Sequence, residues 1–258
     1  MFTQVINLDG AVDRWMNCQM QFSQLGLSAE RFPAIDGSLL SDSELKSVYS
    51  SSLNKRHYFT PLHIGEIGCF FSHRECWERF LASGRSYGLV LEDDFEIIGS
   101  LRELLFEIEE ERPDFDLLKL DRMSAGPQHE VFSCESGVKI VRPALPPLDA
   151  AAYILSRQGA RKLCESEQRI YMPVDVYLQH SWLCNIKILC TDQPLVRQEP
   201  ELDSESTLKI RRPKRSIVQK ISKEIKRPLF RYKLKRKALN YYHQEMEFIR
   251  PSDPRLTI

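Results

Sequence analysis

No CxxC pair occurs anywhere in the 258 residues, and the seven cysteines, at positions 18, 69, 76, 134, 164, 184 and 190, are odd in number. That pattern excludes a zinc ribbon and argues against a disulfide framework, leaving reduced thiols. There is no apolar run of about 18 residues, so nothing reads as a transmembrane helix. The opening MFTQVINLDG lacks a basic stretch followed by an apolar core, so it does not read as a signal peptide. The expectation is a cytoplasmic protein, neither exported nor membrane-spanning. No internal repeat is evident. Net charge is absent as well, with 36 Lys and Arg against 36 Asp and Glu.

That zero conceals a segregation. Lys209 to Tyr241 holds fourteen basic residues against the single acid Glu224, so this stretch is +13 and the rest of the chain −13. Such a division points to an anionic partner for the tail. The expected organisation is an α/β domain over 1–203 and a basic, amphipathic, helical extension over 204–258. Within it Ile217, Ile221 and Ile225 recur every four positions, and Pro228 is expected to break or kink the helix. An anionic membrane surface suits a helix with apolar residues interleaved among its charges. Nucleic acid is the less favoured partner, and docking of the apolar residues on the domain is the bland alternative.

The feature around which the rest is organised is Tyr87 to Asp94, YGLVLEDD, an apolar run that stops at three consecutive carboxylates. The run reads as a buried strand. Acids crowded at its end repel one another and need a cation or open water. Glu92, Asp93 and Asp94 are therefore a candidate divalent-metal and ligand site, with a solvated acidic loop as the alternative.

Gln4 to Leu8 reads as a first strand ended by Asp9-Gly10, Val12 to Leu25 as an amphipathic helix, and Arg31 to Ile35 as a second strand closed by Asp36-Gly37. Strand, helix, strand in that span is the βαβ unit of an open parallel sheet, whose ligand crevice lies at the carboxyl ends of the strands. Asn7, Asp9 and Asp36 fall at those ends. With neighbouring Leu8 and Arg14 they are the candidate nucleotide contacts, although each acid and Asn7 also suits a turn.

Ser38 to Tyr58 reads as a polar, helix-containing excursion. Thr60-Pro61 suggests the start of a helix containing GEIGCFFSHRECW, in which His73 reads more readily as structural than as catalytic. Ser100 and Glu103 make a potential capping box, and FDLLKL a buried strand ending at Asp121. Val131 to Val141 suggests a hairpin, Ala150 to Leu155 a strand, Ser156 a cap with Gly159 allowing close backbone approach, and Ile186 to Cys190 a last strand. Pro194 onward reads as irregular.

VINLDGAVDRW, AIDG, GEIGCFFSH followed by W, VLEDD, AYILSRQGARKL and PVDVYL together resemble glycosyltransferase family 25, over roughly residues 2 to 200. The combination is more specific than any one block, and the tail lies outside it. The resemblance implies a GT-A type α/β fold with an open, mostly parallel, Rossmann-like sheet flanked by helices. It also implies a nucleotide-sugar donor, usually UDP-galactose, a Mn2+ or Mg2+ ion, and inversion to a β-linkage. For bacterial members the acceptor is a lipid-linked oligosaccharide of the lipooligosaccharide or lipopolysaccharide core, which would place the enzyme peripherally on the inner face of the cytoplasmic membrane. The acidic motif here is EDD rather than DxD. Asp94 is accordingly the expected metal ligand with Glu92 in support, and Asp93 the expected ribose contact. Inversion needs a general base. Asp175, in the PVD block, is the candidate, with Asp121 and Asp149 behind it and His180 a weaker candidate for a metal sphere. A metal-dependent phosphohydrolase and a catalytically idle family member are the competing readings.

Overall fold

The computed structural model describes residues 1–121, 123–124, 126–166, 169–198 and 217–249, the last of these with side chains over 224–244. The expected boundary between 203 and 204, and the basic residues from Lys209 to Arg215, lie outside the described residues.

The chain begins as its sequence predicts. Strand β1 (Phe2–Asn7), helix α1 (Val12–Gln24) and strand β2 (Glu30–Pro33) form a βαβ unit, and β1 pairs parallel with β2 on one side. On its other side β1 pairs parallel with β3 (Tyr87–Glu92), the apolar run that leads into the acids. Between them lie α2 (Asp42–Val48), α3 (Ser51–His57) and the long α4 (Ile64–Ala82). Helix α4 starts three residues beyond the predicted Pro61: His63 caps it by accepting from the Gly65 amide, and Glu66 closes a capping box.

After β3 come β4 (Phe95–Ile97), α5 (Leu101–Glu111), β5 (Leu117–Lys119), the hairpin β6 (Gln128–Ser133) and β7 (Lys139–Pro143), then β8 (Ala152–Ser156) and α6 (Arg157–Glu165). Short helices α7 (Val174–Gln179) and α8 (Ser181–Cys184) precede β9 (Ile188–Thr191) and β10 (Val196–Gln198). The main sheet has eight strands in the order β2-β1-β3-β8-β5-β9-β7-β6. It is mixed. The β2-β1-β3 side and the β5-β9 pair are parallel, while β8 runs antiparallel to both β3 and β5. Because β8 is reversed, its first residues lie beside the carboxyl ends of β3 and β5.

Both faces of this sheet are covered, which is why its central strands read as continuous apolar runs. Val90, Tyr153 and Leu155 face Phe70, Trp77 and Phe80 of α4 and Leu163 of α6; Leu89, Leu91 and Ile154 face Phe22 of α1 and Leu101, Leu104 and Ile108 of α5. Two motif glycines meet where α4 crosses the segment after β2. A Cβ on Gly37 would collide with the Ile64 carbonyl, and one on Gly68 would stand 2.6 Å from the Gly37 amide nitrogen. The expected close approach at Gly159 is present as well, against the backbone of Asp116.

Three local expectations differ. Ser100 makes no side-chain cap bond, and the Leu101 amide donates to the Gly99 carbonyl at 2.8 Å. The stretch after Pro194, which reads as irregular, forms β10 and pairs antiparallel with β4, so that Val196 meets Ile97. Finally, α9 (Ile217–Ile249) runs through Pro228, which removes one helical hydrogen bond without ending the helix. Helix α9 packs on the domain through Phe230, Leu234, Ala238 and Tyr242. Phe230 sits edge-on to Tyr58 at 5.4 Å and lies 5.9 Å from His180, and the Tyr242 hydroxyl reaches Nδ1 of His129 at 3.1 Å. No helix among the described residues is long and apolar enough to cross a membrane.

Candidate active site

Parallel pairing of β1 with β3 places Ile6 opposite Glu92, so the residues just beyond, Asn7 and Asp93, end side by side. Asn7 donates from Nδ2 to Asp93 Oδ2 at 2.6 Å, and Arg14, in the first turn of α1, donates to Asp93 Oδ1 at 3.0 Å. Arg31 donates to Asn7 Oδ1 at 2.7 Å and to Asp9 Oδ1 at 2.7 Å. The candidate nucleotide residues Asn7, Asp9, Arg14 and Asp93 are thus one charge-assisted network. It satisfies both oxygens of the buried Asp93 carboxylate from within the protein. Leu8 lies in the turn of this network, its carbonyl accepting from the Ala11 amide at 2.9 Å. Asp36 stands outside the network: Oδ1 accepts from the Ser38 amide at 2.8 Å and the Ser38 hydroxyl at 2.7 Å, capping a short 3-10 turn.

The three acids at the end of β3 point to three different sets of partners. Glu92 turns toward α4, where Nε2 of His73 lies 3.2 Å and Sγ of Cys69 3.6 Å from Oε1. His73 is wholly buried and its Nδ1 is 2.7 Å from the Tyr153 hydroxyl, which also accepts from Nε1 of Trp77 at 2.8 Å. Donor counting assigns the protons. An indole N–H only donates, so Trp77 takes a lone pair of Tyr153, the phenol's own proton is left to point at Nδ1, and the Nε2 proton faces Glu92. Burial opposes charge on Glu92, but the hydrogen bond and field of His73 outweigh it, holding the carboxyl below the ordinary glutamate range. Asp94, in the turn after β3, faces the other way, and Gln198 of β10 donates to its Oδ2 at 3.4 Å.

Cys69, His73 and Glu92 offer ligand atoms that all lie within 4.8 Å of one another. A sulfur, a nitrogen and an oxygen suit a zinc-like ion, whereas Mn2+ and Mg2+ favour oxygen ligands. Here the three atoms are engaged in hydrogen bonds to each other. Asp93 is likewise engaged, by Arg14 and Asn7.

A second acidic group gathers where β5 ends and β8 begins. Lys119 is wholly buried; its Nζ donates to the carbonyls of Pro147, at 2.9 Å, and Asp149, and lies 3.9 Å from Asp121 Oδ1. Asp121 Oδ2 accepts from the amides of Ala151 at 3.0 Å and Ala152 at 3.4 Å. Asp149 has φ +150°, a conformation that L residues rarely adopt, and the Lys119 ammonium on its carbonyl helps to hold it there. Asp175, in the first turn of α7, accepts from the Val176 amide at 2.7 Å. Its carboxyl is pushed above the ordinary aspartate range by burial, with the charges of Asp149 and Glu92 adding to the shift and Lys119 opposing it. Glu92, Asp149 and Asp175 therefore share one electrostatic environment. Burial likewise pushes the Asp121 carboxyl up.

Sequence reasoning names Glu92 and Asp175 but not what connects them. Lys119 is missed, although a lysine inside the apolar FDLLKL run is a legible signal, since a buried ammonium needs acceptors. Tyr153 gives no signal in AAYILS. Nδ1 of His180 pairs with the Val176 carbonyl at 2.7 Å, and its ring packs against Trp182 and Phe230.

The sequence model described as "Glycosyltransferase family 25 (LPS biosynthesis protein)" matches residues 1–143. Among curated relatives, a "Glycosyltransferase 25 family member" of Aedes aegypti is 31% identical over 185 residues, covering 67% of this chain and 30% of that protein. The human "Inactive glycosyltransferase 25 family member 3" is 32% identical over 186 residues, with 67% and 30% covered. "Procollagen galactosyltransferase 1" of Danio rerio is 28% identical over 186 residues, again with 67% and 30% covered. The chain thus spans about 30% of the length of these relatives.

Proposed function

Because this chain belongs to glycosyltransferase family 25, we propose that it moves a hexose, galactose from UDP-galactose, onto a lipid-linked oligosaccharide acceptor with inversion at the anomeric carbon. The supporting observation is that Glu92, whose amide donates to the Ala151 carbonyl at 2.9 Å, and Asp149, whose carbonyl accepts from Lys119, stand together at the carboxyl end of the sheet, where open α/β folds bind their ligands, with Asp175 electrostatically coupled to both.

In this reading Asn7, Leu8, Asp9, Arg14, Asp36 and Asp93 form the donor side. Asp93 acts there through the network that shapes the end of β1, which presents backbone and Arg14 to the nucleotide. Asp94 would hold a divalent cation, with Glu92 in support. When bound, such a cation neutralises charge developing on the departing diphosphate. Asp175 is the base. It removes the acceptor hydroxyl proton as that oxygen forms its bond to the anomeric carbon. The bond from that carbon to the diphosphate breaks, and UDP leaves with the electron pair. A carboxyl raised by burial suits this work, because a more basic carboxylate accepts a proton more readily.

The deciding experiment incubates the purified chain with a panel of nucleotide sugars, with and without manganese, and measures nucleotide release and product stereochemistry. Release of UDP from UDP-galactose in the presence of the ion is the expected result. Indifference to every nucleotide sugar would overturn the reading. Some relatives carry the word "inactive" in their names, which favours one further reading, a donor-binding protein without transfer. Its mark would be metal-dependent UDP affinity with no sugar released.

A further inference from the structure

We propose that α9 is held between two surfaces, the domain on one side and an anionic lipid bilayer on the other. The inward side is described above: Phe230, Leu234, Ala238 and Tyr242 recur every four residues and are buried or half-buried. At about 100° per residue, Ile225, Leu229 and Tyr232 lie roughly 170° from the centre of that stripe. They are 66%, 51% and 62% exposed, a second apolar stripe on a helix whose first is already occupied. Arg236 falls within the outer stripe. Lys226 and Lys233 flank it on one side and Lys235 on the other, all of them exposed. By the same spacing Arg227 and Arg231 fall on the opposite side of the helix from the outer stripe. Apolar residues bordered on both sides by lysines match the boundary between headgroups and acyl chains.

The other occupants fit this surface less well. A nucleic acid would meet the charges through phosphate while leaving Ile225, Leu229 and Tyr232 in water. A second copy would set one positive stripe against another. An anionic bilayer takes both the charge and the apolar stripe. The surface also has a direction. Phe230 contacts Tyr58 and His180, and His180 ends the helix that begins beside Asp175, so a protein resting on the outer stripe of α9 brings the Asp175 end of its site near the headgroups. A sugar acceptor carried on a lipid would be met there. In that last respect the proposal rests on the functional reading above.

The test is flotation of the full chain with phosphatidylcholine vesicles that contain or lack phosphatidylglycerol, at low and high salt. Binding to the anionic vesicles alone, weakened by salt, is expected. Ile225→Asp with Leu229→Asp is expected to weaken it about tenfold or more. Lys226→Glu with Lys233→Glu is expected to weaken it about twenty-five-fold or more, at roughly fivefold per charge. Circular dichroism of both variants should match the parent, since all four positions are exposed. Failure of the full chain to float with anionic vesicles would overturn the proposal, as would parental binding by the Asp variant. So would tight binding to DNA that ignores the Asp substitutions while vesicles are ignored. Flotation needs no turnover, so absence of transfer with vesicle binding intact would count against the enzyme reading and leave this one standing.

Discussion

Nε2 of His73 lies 3.2 Å from Oε1 of Glu92 and, with Sγ of Cys69 at 3.6 Å from the same oxygen, joins the GEIGCFFSH segment of α4 to the LEDD end of β3. Trp77 and Tyr153 stand behind it in a chain of donors. Two segments that are separate in the sequence are therefore mechanically coupled in the fold. The buried histidine orients an acid at the mouth of the sheet.

His73→Ala would remove the donor to Glu92 and leave the Tyr153 hydroxyl without its acceptor, a loss of about 1–3 kcal/mol. The pH dependence gives a sharper signature. Glu92 titrates below its unfolded value, so its contribution is present above the unfolded pKa and is lost as pH falls through the depressed one. Urea denaturation across the acid range is expected to show this loss in the parent and less of it in the variant. Identical profiles would mean that the hydrogen bond does not stabilise the charged form.

Asp175→Asn is expected to lower turnover by about a hundredfold or more while UDP affinity stays close to that of the parent. In the parent, burial has raised this carboxyl, so the base is protonated at low pH and kcat/KM climbs with pH through a value above the usual 3.9 or so of aspartate. The rising limb should vanish in the residual activity of the variant. Equal losses of UDP binding and turnover would assign Asp175 to structure.

For Asp94→Ala, calorimetry of UDP with and without manganese is the discriminating measurement. The metal-dependent part of the affinity is expected to disappear while circular dichroism is unchanged, because Asp94 lies in the turn between β3 and β4, outside the strand pairing of the sheet. Undiminished metal dependence would exclude Asp94 as a ligand.

Lys119→Met would strip the Pro147 and Asp149 carbonyls of their ammonium and leave Asp121 with a buried, uncompensated charge. The expected cost is about 3–5 kcal/mol in urea denaturation. Adding Asp121→Asn should recover part of that loss, because the two residues share one interaction and their effects are not additive. Simple additivity would show that the lysine acts on the carbonyls alone.

What the sequence made legible were features set by local chemistry. Asp9-Gly10 ends β1 as turn chemistry requires, and Ser156 caps α6 by accepting from the Gly159 amide at 3.0 Å. The run from Gly88 to Leu91 announces a strand covered on both faces. Illegible features depend on partners distant in the chain. Nothing near Val196 reveals that it will pair with Ile97, and nothing near Tyr153 reveals His73 eighty positions earlier. Asp93 reads as a ribose contact, but nothing in the sequence reveals that Arg14 and Asn7 donate to its two oxygens. The tail shows the same division. Its four-residue spacing is visible, yet only packing distinguishes Phe230 and Leu234, which face the domain, from Ile225 and Leu229, which do not.

The reversed strand β8 also governs how the chain comes together as it is made. Strands β3 and β5 are completed first, but their facing edges have no partner until Ala152 to Ser156 arrive to bridge them. At about 5–20 residues per second, the interval between Lys119 and Ser156 leaves apolar strand edges exposed for about two to seven seconds on the ribosome. Unpaired edges of that kind recruit other strands. The nascent chain is therefore most vulnerable to aggregation, and most in need of a chaperone, just before the second half of its sheet is joined to the first.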